Sequence, residues 1–230
     1  MGALAGFLVH FDPMHIVVAL DRMSFVIGRR FRIDSMMCPR HKAFLEFRGR
    51  QRATSYTFAS ADLFVLHELG SPRGGSFIEI GARDGTQASD TCLLEREYGW
   101  RGVLVEPDPK WHKALQANRK ADLDGRFVAE SSGLGRKIGG REVESASLPE
   151  IMHDYGSADV TDFLSVHASR DALAVLRHHD FQRYRFRVVA VTHGGDPVLR
   201  ARMAWFMKTR GYSRRMPSIT GDADWFVGAG

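Results

Sequence analysis

Residues 77–106 constrain this chain more than any other stretch. The run Phe77-Ile78-Glu79-Ile80 is followed by Gly81-Ala82-Arg83-Asp84-Gly85, and Val103-Leu104-Val105 by Glu106-Pro107. Short β-branched and aromatic runs with glycine on either side predict strands buried on both faces of a parallel sheet. Glycine at 81 and 85 lets the backbone turn sharply and come close to whatever lies beyond it. Between the two strands, Thr86 to Tyr98 has helical composition with Leu93 and Leu94 as apolar members. The order is therefore strand, glycine turn, helix, strand, acid. Glu106 lies 21 positions beyond Gly85, close to the spacing of about 20 at which a carboxylate meets ribose hydroxyls in nucleotide-binding folds.

Two cofactor classes compete for such a turn. A dinucleotide site uses G-x-G-x-x-G, which brings a helix amino end against a pyrophosphate. Here the middle glycine is missing and Asp84 stands beside the turn, where an acid opposes a diphosphate but suits a ligand with an ammonium group. S-adenosylmethionine is such a ligand. Glu106 is expected at its ribose, Gly81 to Gly85 with Glu79 and Asp84 at its methionine end, and Ala129 or Glu130 at the adenine edge. An NAD-dependent oxidoreductase is the weaker alternative.

The segment Phe77 to Arg119 resembles the FkbM family of S-adenosylmethionine-dependent methyltransferases. Its Glu79, Gly81, Ala82, Asp84, Gly85, Ser89, Thr91, Glu95, Gly99, Trp100, Gly102, Glu106, Pro107 and Pro109 match that family's two motifs and the helix between them. The resemblance adds Ala82, Ser89 and Pro107 to the cofactor-binding set. It implies O-methylation of a small-molecule or glycan-type hydroxyl, and it extends more loosely over residues 54–227. Three places depart from the family. D-V-E-G is replaced by His167-Ala168-Ser169-Arg170, and E-H-N by Thr192-His193-Gly194. The upstream S-Q-x-G-x-D is reduced to Thr57-Phe58-Ala59-Ser60-Ala61-Asp62. The cofactor half is kept and the acceptor half rewritten, which fits either a new acceptor or a protein that binds cofactor or a partner without turnover.

The expected fold is α/β: a Rossmann-like, mostly parallel sheet with an antiparallel C-terminal strand and helices on both faces. Strands are predicted at 76–81, 102–106, 127–130, 161–166 and 187–193, with helices at 86–98, 109–119, 147–155, 169–177 and 196–210 and a glycine-rich loop at 133–140. Ligands of such sheets bind beyond the carboxyl ends of the strands, which places His167 and His193 beside the acceptor. Either could serve as the base that a hydroxyl acceptor requires. They lack a third ligand at metal spacing. His178 and His179 are expected in a solvated loop.

The 230 residues divide at 53/54, into an N-terminal helical extension that covers the cofactor or builds a homodimer contact and a methyltransferase-like domain at 54–230. Phe11, Ile16, Val17, Leu20, Phe25 and Val26 give the extension an apolar stripe. The absence of a basic n-region and of any run near 20 apolar residues points to the cytoplasm, where Cys38 and Cys92 would stay reduced. The net charge of +5 is concentrated in Arg29, Arg30, Arg32, Arg40, Lys42, Arg48, Arg50 and Arg52. Without interleaved aromatic residues this cluster makes no clear nucleic-acid site.

Overall fold

The computed structural model describes residues 39–57, 59–133, 135–168 and 171–229. The apolar stripe of residues 11–26, Cys38, Ser169 and Arg170 lie outside them. Helices α1 (Pro39–Gln51) and α2 (Ala61–Leu69) lead into β1 (Ser76–Ile80). Then come α3 (Cys92–Tyr98), β2 (Arg101–Val105), α4 (Pro109–Asn118), β3 (Asp122–Asp124) and β4 (Phe127–Val128). A hairpin of β5 (Gly135–Ile138) and β6 (Arg141–Ala146) precedes α5 (Leu148–Asp154), β7 (Val160–Val166), α6 (Ala172–Arg177) and β8 (Arg185–Thr192). Helix α7 (Pro197–Thr209), β9 (Tyr212–Arg215) and β10 (Ala223–Gly228) complete the order.

Seven strands form one sheet in the order β3-β2-β1-β7-β8-β10-β9. Strands β3, β2, β1, β7 and β8 pair in parallel, and C-terminal β10 runs antiparallel to both β8 and β9. This is the Rossmann-like arrangement expected from the sequence. The order reverses between β1 and β7, so the crevice beyond Ile80 and Val166 is the topological switch point where such sheets bind ligands.

Alternation along the central strands sends side chains into two cores. Ile78, Val103, Val105, Leu164, Val166, Val189 and Val191 pack with α5, α6 and α7 through Ile151, Leu176, Met203 and Met207. Phe77, Leu104, Phe163, Val188 and Trp225 face α1, α2, α3 and α4 on the other side, through Phe44, Phe64, Leu93 and Leu115. Trp225 stacks on Phe64 with centroids 4.4 Å apart, and Phe44 meets both rings edge-on. Replacing Trp225 with Phe should cost about 1–3 kcal/mol through the unfilled space between these rings, read as a lower urea midpoint with an unchanged slope.

Three local expectations need correction. The third sheet strand is Asp122–Asp124 rather than 127–130; with Leu123 as its one apolar residue it carries no hydrophobic run to detect. Phe127–Val128 instead pairs with β6 in a separate three-stranded sheet. The expected glycine loop at 133–140 contributes β5 of that sheet. Ile138 is paired with Arg141 across Gly139-Gly140, both with positive φ, which is the chemistry of a two-residue hairpin. Finally, the helix expected from residue 86 begins at Cys92. Residues 86–91 are rich in groups that hydrogen-bond locally, and Asp84 and Glu79 take their backbone N–H groups.

Candidate functional site

Glu79, next to last in β1, is almost wholly buried. It accepts from Ser89 Oγ at 2.8 Å, from the Asp90 backbone N–H at 3.0 Å and from the Thr91 hydroxyl. Asp84 Oδ1 accepts from the N–H groups of Thr86 and Gln87 at 2.9 Å each. The turn is held from behind by Arg119 at the end of α4. Its guanidinium donates to Gly85 O (2.9 Å), Ser89 Oγ (3.1 Å), Thr91 Oγ1 (2.9 Å) and Glu95 Oε2 (3.0 Å), and lies 3.8 Å from Glu79.

Both glycines of the turn have protein on their side-chain side. A Cβ on Gly81 (φ +83°) would lie 2.8 Å from the His167 carbonyl, and one on Gly85 (φ +77°) would meet Leu115 at 2.5 Å and Arg119 at 2.6 Å. Two non-glycine residues of the turn, Arg83 (φ 50°) and Ala88 (φ 58°), also hold left-handed conformations. Such conformations cost on the order of 1 kcal/mol each and persist only where the surroundings impose them.

Glu106, just beyond β2, is buried. One carboxylate oxygen accepts from the Arg83 N–H and the other from the Asp108 N–H, both at 2.8 Å. Each oxygen thus keeps accepting capacity for a further donor, as a sugar diol would require. The Glu106 carbonyl lies 2.7 Å from His112 Nε2.

Two cavities meet at the switch point. One of about 120 Å³ is lined by Glu79, Gly81, Ala82, Arg83, Gln87, Ala88, His167 and Thr192. The second, about 360 Å³, is lined by Thr57, Ala59, Ala88, Asp90, His167, Thr192 and residues 219–223. They share Ala88, His167 and Thr192. A wider groove of about 590 Å³ runs from Gln51 to Tyr56 and past Arg73, Glu97 and Tyr98, toward the amino end of β1. It gathers neither a histidine nor paired carboxylates.

His167 is the hub of the two cavities. Its Nε2 lies 3.2 Å from Asp90 Oδ2 and 3.5 Å from Glu79 Oε1, and its Nδ1 is 3.2 Å from Thr192 Oγ1. Burial would lower its pKa, but the charge and hydrogen bond of Asp90, and then those of Glu79, outweigh it and raise the pKa to about 10. Burial likewise pushes the Asp90 carboxyl up, and His167 with the hydroxyls of Ser165 and Thr57 more than reverses that. The pair is therefore imidazolium and carboxylate at neutral pH. Expected in the sequence as a proton acceptor, His167 sits between two carboxylates that favour its protonated form.

A pH dependence follows. His167 has an unfolded pKa near 6.5 and a folded one of about 10, so its stabilisation is complete below about pH 6.5 and is lost as pH rises through about 10. The unfolding free energy of the wild type should fall by a few kcal/mol between pH 7 and 10.5, and His167→Gln should flatten that slope in urea titrations at stepped pH.

His193 is buried and lines neither cavity. Burial holds its pKa below the ordinary value, its Nδ1 accepts from the Gly195 N–H, and its Nε2 has no protein partner. Its backbone N–H donates to the Asp222 carbonyl, which fixes the 219–223 wall. Asp84, Gly85, Ser89, Glu106, Pro107, Ala129 and Glu130 also lie outside the lining of both cavities, Glu106 being joined to the smaller one through the Arg83 N–H. The Ala129 N–H bonds to Ala146 O, and exposed Glu130 pairs with His178 at 3.3 Å. The expectation for His179 needs correction: it is buried, lies 2.9 Å from Tyr184 O through Nε2, and has its pKa lowered to about 4 by burial.

Asp90, Arg119 and Asp224 were not picked out from the sequence. Asp224 binds Arg200 at 2.9 Å and Thr220 at 3.1 Å, anchoring the second cavity's wall to α7. Asp62, seen as the remnant of a motif, accepts from Ser55 Oγ and from the N–H groups of Tyr56 and Leu63. That fixes the start of the segment bearing Thr57 and Ala59; burial raises the Asp62 pKa to about 7 against those hydrogen bonds. The polar run Ser89-Asp90-Thr91 was the available signal for Asp90.

Among the described residues no helix is long and apolar enough to cross a membrane. No family model matches the chain. A curated relative, the AP2/ERF and B3 domain-containing transcription repressor TEM1 of Arabidopsis thaliana, is 25% identical over an alignment of 164 residues that covers 63% of this chain; the chain spans 44% of that relative's length. Solved structures similar in chain course include proteins described as methyltransferases. The FkbM methyltransferase of Methylobacillus flagellatus KT is 13% identical, with 81% of this chain and 58% of that one covered and a TM-score of 0.48. The O-methyltransferase of Bacillus cereus in complex with S-adenosylhomocysteine is 13% identical, with 94% and 100% covered and a TM-score of 0.47. Precorrin-6y C5,15-methyltransferase of Geobacter metallireducens GS-15 is 12% identical, with 72% and 84% covered and a TM-score of 0.44.

Proposed function

We propose that this chain is an S-adenosylmethionine-dependent methyltransferase acting on a hydroxyl of a small-molecule or glycan-type acceptor. The observation that carries the reading is the carboxylate of Glu106. It is fixed by two backbone N–H groups, one of them from the glycine turn itself, and keeps capacity for a diol. In this reading Glu106 and Pro107 hold the ribose, and Ala129 or Glu130 borders the adenine. Glu79, Asp84 and Ser89 hold the shape of the turn Gly81-Ala82-Arg83-Asp84-Gly85, which receives the methionine end beside the 120 Å³ cavity. The acceptor enters the 360 Å³ cavity between Thr57 and residues 219–223.

When bound, the cofactor supplies a methyl group on a cationic sulfur. The protein's share is to fix the two partners in line and exclude water, the main source of acceleration for such a displacement. His167 holds Asp90 and Glu79 in place and shapes both cavities. His193 is the member of the pair that burial keeps neutral, with a nitrogen free to accept a proton. It reaches the acceptor only if the 219–223 segment shifts.

A second reading, cofactor binding without turnover, is favoured by one observation: the histidine that does line the larger cavity is held between two carboxylates, which favour its protonated form. Calorimetry and a radiolabelled-methyl assay on hydroxylated acceptors separate the two. S-adenosylmethionine and S-adenosylhomocysteine should bind and NAD should not. Glu106→Ala should weaken both adenosyl ligands about 100-fold, the equivalent of losing one or two charge-assisted hydrogen bonds. Undetectable binding of both adenosyl ligands to the wild type would refute the proposal.

A further inference from the structure

We infer that a cavity at the opposite end of the sheet from the switch point binds a free α-amino acid with an apolar side chain. The inference does not depend on the methyltransferase reading, because the residues that line this cavity are not those around His167.

The cavity holds about 340 Å³, and its lining includes Glu68, Leu69, Val160, Arg185, Arg187 and Val227. Pockets for small molecules start at about 300 Å³. Val160 and Arg185 open β7 and β8, and Val227 is next to last in antiparallel β10, so the cavity lies at the amino ends of the parallel strands. Val160 is 53% exposed although apolar.

Glu68 is the group that packing alone does not explain. It stands in the last turn of α2, where the helix dipole disfavours a carboxylate, yet its side chain is only 5% exposed. Arg40 of α1 meets Oε1 at 2.7 Å, and Oε2 is buried with no hydrogen-bond partner. A clasp between α1 and α2 needs the first oxygen alone. A buried acceptor without a donor is costly. The terminal torsion of a glutamate is broad, so Oε2 can turn toward a donor brought into the cavity, and an ammonium group is a donor of matching charge.

The two arginines of the lining differ. Arg187 is matched by Asp162 at 3.0 Å. Arg185 has no carboxylate partner among the described residues, and its guanidinium makes one hydrogen bond, at 3.4 Å, to the Ala229 carbonyl. Glu68 and Arg185 are thus charged groups of opposite sign with unused capacity, beside the apolar surface of Leu69, Val160 and Val227. An amino acid satisfies all three features. A fatty carboxylate would leave Glu68 unmet, and an alkylamine would leave Arg185 unmet.

The test is calorimetry of the full chain with leucine and phenylalanine, beside N-acetyl-leucine, leucinamide and glycine, with circular dichroism to select folded variants. Leucine and phenylalanine should bind. Removing the charge at either end of leucine should weaken binding about tenfold or more, the worth of a charge-assisted hydrogen bond, and glycine should not bind detectably. Glu68→Gln should weaken leucine about tenfold and abolish the preference for leucine over N-acetyl-leucine. Arg185→Gln should abolish the preference for leucine over leucinamide. Each variant should keep the other's preference, a split that general loosening of the fold would not produce. Val160→Glu, at an exposed strand end, should weaken leucine without unfolding the protein and serves where Glu68→Gln does not fold. Failure of both amino acids to bind the wild type at millimolar concentration, or preferences unchanged in every folded variant, would overturn the inference. Adenosyl-ligand affinity should be the same in all folded variants, so either result leaves the methyltransferase reading standing.

Discussion

Replacing Arg119 with methionine is expected to lower the unfolding free energy by about 3–5 kcal/mol, the range for removing one partner from a buried charge network. The side chain is fully buried and serves four acceptors on three segments. Its loss leaves Glu95 without a cation, Glu79 with His167 alone, and the Gly85 carbonyl without a donor, in a low-dielectric region. Lysine should recover little, because one ammonium cannot reproduce a planar fork that spans the turn and α3. Urea unfolding measures the loss, and calorimetry should show adenosyl-ligand binding weakened in any fraction that still folds. A loss below about 1 kcal/mol would mean that water replaces the guanidinium.

Gly81→Ala is the second large effect, expected to destabilise by about 2–4 kcal/mol from a left-handed backbone plus overpacking. The new methyl group would lie 2.8 Å from the His167 carbonyl, which belongs to the strand end across the switch point. The two strand ends must separate or the turn must rotate, and either motion displaces Arg83, whose N–H supports Glu106. Loss of adenosyl-ligand affinity should therefore exceed what stability alone predicts. Gly99→Ala is the comparison: it also has a positive φ, but the space around it is open, so it should cost about 1 kcal/mol and leave affinity unchanged.

The sheet was legible because its central strands are continuous apolar runs, and because Asp108, Ser147 and Asp196 each cap a helix that begins with or just before proline. Asp122-Leu123-Asp124 was not legible, since a short edge strand with one apolar residue looks like a loop. The start of α3 was misplaced because Thr86 to Thr91 is compatible with helix in composition, while its N–H groups are captured by carboxylates at 79 and 84. Within the site, Glu79, the glycine turn and Glu106 are local in sequence and could be read together. Asp90, Arg119 and Thr192 come together around His167 and Glu79 only through tertiary packing. The protonation of His167 depends on Asp90, a neighbour 77 positions away, so no local pattern reveals it.

Phe44 sits wholly buried against the stacked pair of Phe64 and Trp225. A shortened protein beginning at residue 54 would leave that pair wet on one side. Such a truncation would be prone to self-association through the bared aromatic surface, and inactivity in it would report poor solubility before it said anything about methyl transfer. Assays should keep Pro39–Gln51 whichever role the preceding residues serve.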